Sequence, residues 1–175
     1  YHREGREGTI TAFEVNGVKK LWVNSVGMTH LCTETKLMTH LPLMYVDNPR
    51  ELLIICFGMG TTMKSAAVYP DLKITVVDLV PEVYDTFRYF HPEANHLLSD
   101  SRVDARIDDG RNFIFLTEKK YDVITIDPAP PVWGNGVVNL YSREFLVQTK
   151  SRLNWGGVLC LWFPGGTEPE VKSVL

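Results

Sequence analysis

The feature that most constrains this chain is the run Leu52-Leu53-Ile54-Ile55-Cys56, followed one residue later by Gly58-Met59-Gly60. A strand that is apolar at every position, rather than at alternate ones, is covered on both faces, and parallel sheets wrapped by helices provide that environment. The pattern then repeats. Strands are expected at 73–77, 103–107, 121–126 and 158–163, with helices at 61–68, 81–90, 111–117 and 142–153 between them. Strands alternating with helices over more than a hundred residues define an α/β chain with a Rossmann-like doubly wound sheet.

Residues 1–46 read differently. Thr9–Val15 alternates and is rich in β-formers, Asn16-Gly17 is a two-residue hairpin signal, and 18–24 returns as the partner strand. A short helix over 34–41 is expected to stop at Pro42, because proline disfavours helix in the residue before it. The chain therefore divides into a small N-terminal β-hairpin region with a short helix, 1–46, and a sheet domain, 47–175, whose C-terminal end reads as cut short.

Composition removes several function classes. The chain carries 18 basic and 21 acidic residues, a net charge of −3. That balance does not suit phosphate-driven nucleic-acid binding. Cys32, Cys56 and Cys160 are too scattered for a zinc site, so no metal is expected, and their odd count suits a reducing compartment. No apolar run approaches the roughly 20 residues that span a bilayer. The expected location is cytoplasmic, with a membrane-spanning region outside this chain left open, which would put the domain on the cytosolic face.

In doubly wound sheets ligands bind beyond the carboxyl ends of the strands. Four features fall there. Gly58-Met59-Gly60 lets a ligand approach the backbone, or is simply a tight turn; without Gly-Lys-Ser/Thr it is not a P-loop. Asp78 ends the next strand about 20 residues on, where a carboxylate accepts ribose hydroxyls or caps a helix. Asp108-Asp109-Gly110 follows the third strand; a carboxylate there accepts from an exocyclic amine or caps the next helix. Asp127 ends the fourth strand, placed to take a proton or hold an amine.

With these residues in this order, the chain resembles the spermidine synthase family of aminopropyltransferases. The resemblance covers nearly the whole chain. It is carried by Leu41-Pro42-Leu43, Asn48-Pro49-Arg50, the glycine turn, Asp78, Asp109-Gly110, Tyr121-Asp122-Val123-Ile124 through Asp127, and Leu140-Tyr141.

The resemblance implies a class I methyltransferase type of sheet and an adenosyl cofactor. That cofactor would be decarboxylated S-adenosylmethionine, released as 5′-methylthioadenosine, or S-adenosylmethionine itself. Asp78 and Leu79 would lie against the ribose, Asp109 and Gly110 against the adenine, and Gly58, Met59 and Gly60 along the cofactor. Asp127 would be the catalytic aspartate and would also face the cofactor. Glu34 and Trp133 would contact the amine acceptor, Trp133 from a gate over 128–139. A homodimer would also follow.

Departures from the family pattern are specific. Cys56 stands where the family has a glycine, and Met59 where it has an aspartate facing the cofactor's amine. Pro130 replaces a second aspartate, and Glu34-Thr35 replaces a Tyr-Gln pair. The cofactor half of the pattern is kept and the acceptor half is altered. Aminopropyl transfer is the first expectation. The alternatives are an acceptor-independent cyclase or lyase, an S-adenosylmethionine-dependent methyltransferase, and a non-catalytic cofactor-sensing domain.

Overall fold

The structure, a computed structural model, describes residues 1–128 and 137–163. Its larger sheet has five strands, all parallel, in the order β7-β6-β5-β8-β9. They are β5 (Glu51–Ile55), β6 (Lys73–Asp78), β7 (Val103–Ile107), β8 (Tyr121–Ile126) and β9 (Leu153–Leu161).

The apolar run is the central strand, as its composition requires. Leu52 and Ile54 enter one buried cluster with Met63, Phe87 and Phe90, while Leu53 and Ile55 enter another with Phe113, Ile114 and Phe145. Alternate side chains thus face opposite layers of helix. α2 (Thr61–Ala66) and α3 (Glu82–Phe90) lie on the first face, α4 (Gly110–Leu116) and α5 (Arg143–Ser151) on the second. Each Leu or Ile side chain so covered contributes about 1.5–3 kcal/mol. The edge strand β7 is exposed beyond Val103, in keeping with its weaker apolar pattern.

The N-terminal unit is a four-stranded antiparallel sheet in the order β1-β2-β3-β4, formed by His2–Glu4, Thr9–Val15, Val18–Val23 and Val26–His30. The expected hairpin is its centre: Asn16 and Gly17 take φ of 52° and 75° between the paired Val15 and Val18. Both outer strands are additional to the hairpin. Ile10, Ala12 and Leu21 project from this sheet into the same cluster that packs on β5. Lys19 is less solvated than a strand-end lysine would be. It donates to the Tyr89 carbonyl at 2.6 Å and lies 5.1 Å from the Tyr89 ring centre.

Pro42 does not stop the helix: α1 runs Glu34–Met44 with Pro42 inside its last turn. A proline there holds a helical φ but loses its own N–H hydrogen bond and crowds the carbonyl four residues back, a cost met once, in the last turn. Burial of Pro42 and Leu43 offsets it. The other correction is β9, which starts at Leu153 rather than 158, with Gly156-Gly157 inside the strand. Gly156 has φ of 74°, the register against β8 shifts between Tyr121 and Val123, and a Cβ on Gly157 would lie 3.0 Å from the Asp122 carbonyl. The two glycines therefore form a bulge instead of a turn. A 3-10 helix over Pro92–Ser99 was not anticipated.

Candidate adenosyl-binding cleft

Strand order reverses between β5 and β8: the chain builds outward through β6 and β7, then returns to the other side of β5. A crevice opens beyond the carboxyl ends at such a point. Here it is a cleft of about 600 Å³, floored by the ends of β5, β6 and β8 and walled on one side by Leu21, Val23 and Met28 of the small sheet.

The turn after β5 is built from three left-handed residues: Cys56, Gly58 and Gly60, at φ of 73°, 54° and 77°. Gly60 has a second reason to be glycine, since a Cβ would lie 2.5 Å from the Phe87 ring and 2.6 Å from Phe57. The Phe57 ring is buried against Tyr84, 4.5 Å between centroids, and pins the turn to α3. Around Gly58 an added Cβ would meet nothing within 4 Å, so the backbone is bare toward open space.

Asp78, at the end of β6, is joined to that turn. Its Oδ2 accepts the Phe57 N–H at 2.7 Å and its Oδ1 accepts the Val80 N–H at 2.9 Å. Burial pushes its carboxyl above the usual range, and those backbone donors pull it back. Each oxygen keeps a further lone pair, the arrangement a ribose diol needs.

At the end of β7 the two aspartates divide the work. Asp109 Oδ1 accepts from Arg111 N–H at 2.8 Å and Asn112 N–H at 3.0 Å, capping α4. Asp108 accepts from the Asp109 N–H and the Asn112 side chain. Only Asp109 lines the cleft, so the cap and the cleft-facing carboxylate are one residue. Gly110 sits against β5, where a Cβ would lie 2.5 Å from Ile55.

Asp127 is anchored through its backbone, whose N–H donates to the Ile55 carbonyl at 3.1 Å. Among the described residues its carboxylate has no hydrogen-bond partner, and burial pushes its pKa up to about 6. A carboxylate with no donor among the described residues can take a ligand's proton.

The remaining expected residues are placed as follows. Leu79 lines the cleft and is half exposed, whereas Met59 lines it with its side chain largely turned into the core. Glu34 is exposed at the start of α1 at the cleft's edge; its own backbone N–H and the Cys32 side chain hold its carboxyl below the ordinary value. Trp133 and Pro130 lie outside the described residues, as does most of the expected gate.

Sequence reasoning gave no role to Cys56, His30, Thr61 or Trp162, all of which line the cleft. Cys56 reads in sequence as a small apolar residue in a strand. It lies instead in the turn, with Asp78, Asp127 and Asp109 near enough to add to the burial that raises its thiol pKa well above normal. No helix among the described residues is long and apolar enough to cross a membrane.

An all-parallel sheet with a glycine turn and acids at three successive strand ends defines an α/β domain of the Rossmann type. Residues 31–163 match the family model described as the spermine/spermidine synthase domain, and the chain belongs to that family. It is 33% identical over 128 residues to putrescine N-methyltransferase 2 of Nicotiana attenuata, covering 72% of this chain and 34% of that protein. It is 32% identical over 124 residues to the polyamine aminopropyltransferase of Bacillus subtilis strain 168, covering 70% of this chain and 44% of that one. The chain thus spans well under half the length of these curated relatives. Among solved structures, spermidine synthase from Thermotoga maritima superposes with a TM-score of 0.83 at 20% identity, over 99% of this chain and 60% of that one. A spermidine synthase bound to the transition-state analogue AdoDATO superposes with a TM-score of 0.81 at 22% identity, over 92% and 56%. These superpositions bear on the fold alone.

Proposed function

We propose that this chain carries an amine N-alkyltransferase site that draws its alkyl group from the sulfonium of an S-adenosyl cofactor. The observation that carries the reading is the convergence of Asp78, Asp109 and Asp127, from three strand ends, on one cleft. Asp78 takes the ribose hydroxyls, Asp109 the adenine amine, and the bare turn at Gly58 lets the cofactor lie against the backbone. Leu79 and Gly110 pack along the nucleoside.

At the other end an unprotonated amine attacks the carbon attached to sulfur. The new N–C bond forms as the S–C bond breaks, the electron pair stays on sulfur as a thioether, and the proton released by nitrogen passes to Asp127. Little covalent help is needed; alignment of nitrogen, carbon and sulfur supplies most of the acceleration.

Two groups can travel by this chemistry. Aminopropyl transfer from decarboxylated S-adenosylmethionine leaves 5′-methylthioadenosine, the reaction for which the bacterial relative is named. Methyl transfer from the intact cofactor leaves S-adenosylhomocysteine, in line with the name of the plant relative. Met59 favours the second, because with no carboxylate at that position nothing repels the α-carboxylate that only the intact cofactor carries. Glu34 is the acceptor-side carboxylate in either case.

The test is mass spectrometry of products after incubation with each cofactor, with and without a panel of amines. An alkylated amine together with the matching thioether nucleoside is expected. Thioether release that does not depend on amine would indicate a cyclase or lyase. Tight nucleoside binding without turnover would leave a sensing domain and refute the transferase reading.

A further inference from the structure

A buried polar relay lies behind the glycine turn. His91 is 5% exposed and its Nε2 lies 3.2 Å from the hydroxyl of Thr61, the first residue of α2. Its Nδ1 lies 3.4 Å from the Lys64 ammonium, which also pairs with Glu93.

Directions follow from chemistry. An ammonium only donates, so Nδ1 accepts, and a neutral imidazole then has its single proton on Nε2. Burial, with Lys64 as the next cause, pushes the His91 pKa down to about 4, which keeps the ring neutral. Nε2–H therefore donates to Thr61 Oγ1, and the Thr61 hydroxyl has a proton left to give.

That proton finds no acceptor among the described residues. The neighbouring Ser65 hydroxyl donates to the Thr61 carbonyl rather than accepting. Thr61 itself is 4% exposed and lines the cleft beside Met59. A buried donor without an acceptor costs about 1–3 kcal/mol, so a ligand that brings one is favoured there.

We infer that Thr61, oriented by His91, is the cofactor-discriminating residue, and that it selects an intact S-adenosylmethionine tail by donating to its carboxylate. A decarboxylated tail ends in an ammonium, which has protons only to donate and cannot receive this one. The inference rests on the reading of the cleft as an S-adenosyl site and decides which cofactor enters it. His91 is a positioning residue, acting through Thr61.

The test is calorimetric titration of the chain with S-adenosylhomocysteine, its decarboxylated analogue and 5′-methylthioadenosine, which has no amino-acid tail. The wild-type chain is expected to prefer S-adenosylhomocysteine over the decarboxylated analogue. Thr61→Val should lose about tenfold in affinity for S-adenosylhomocysteine, the weight of one hydrogen bond to a charged group. It should bind the other two within about twofold of wild type, and Thr61→Ser should restore the preference. His91→Phe should reduce the preference in the same direction as Thr61→Val.

Wild-type preference for the decarboxylated analogue would overturn the inference. So would a Thr61→Val variant that weakens all three ligands equally, since that is a packing effect. In either case retained binding of methylthioadenosine leaves the S-adenosyl reading standing, whereas failure of all three ligands to bind would remove that reading and this inference together.

Discussion

The Asp78 carboxylate accepts the Phe57 N–H at 2.7 Å, which makes the proposed ribose-gripping acid and the glycine turn a single mechanical unit. Asp78→Ala would therefore conflate lost ligand contacts with a loosened turn. Asp78→Asn keeps one acceptor oxygen and is the cleaner probe. We expect it to weaken nucleoside binding by 10-fold or more, about 1.4 kcal/mol or above for a lost charged hydrogen bond, with a smaller effect on the unfolding midpoint. Unchanged affinity for methylthioadenosine would remove Asp78 from the nucleoside site.

Asp127 should behave in the opposite way. Asp127→Asn is expected to bind nucleoside normally and to lose turnover by two orders of magnitude or more, within the usual range for a proton-accepting group. The wild-type rate should rise with pH through about 6, because the carboxylate must be ionised to accept a proton. Stability should run against that trend. The folded-state pKa is raised above the unfolded value near 4, so the folded chain binds more protons between the two, and this group's contribution falls as pH rises from about 4 to about 6. An acidic limb that persists unchanged in Asp127→Asn would show that another group titrates.

Cys56 holds a left-handed backbone, at φ of 73°, that a side chain other than glycine's resists. Such a conformation costs about 1–3 kcal/mol. Cys56→Gly is expected to raise the unfolding midpoint despite removing a half-buried side chain. Cys56→Val should lower it, because a β-branched residue is the least tolerant of positive φ. Thermal denaturation of both variants checks the sign.

Gly60→Ala should be severe for a different reason. The added methyl would meet both the Phe87 and Phe57 rings as well as a φ of 77°, and both rings are buried. A loss of at least about 2 kcal/mol in denaturant unfolding is expected, from overpacking and strain together. A near-neutral Gly60→Ala would mean that the rings can move apart.

The larger sheet was legible because its signals are local. An unbroken apolar run, a glycine turn and an acid at a strand end each sit within a few residues, and β7 was found at its observed bounds. The acids of the cleft were legible for the same reason, since position at the carboxyl end of a parallel strand is a property of chain order. What escaped depends on contacts between distant segments. β4 is short and interrupted by a glycine, and it is a strand because β3 offers it a ladder. Pro42 sits inside a helix in which it and Leu43 are buried, a packing that chain order does not announce. The Gly156-Gly157 pair reads as a turn until β8 lies beside it. Thr61 and His91 are 30 positions apart, and nothing in either neighbourhood announces their hydrogen bond.

The small sheet contributes Ile10, Ala12 and Leu21 to the core beneath β5, and Leu21 also forms part of the cleft wall. One leucine thus sits at a junction where interior and binding surface meet. A nucleoside bound in the cleft would touch two sheets that the sequence builds by separate rules. The N-terminal unit is in that sense a wall of the cleft rather than an ornament on it.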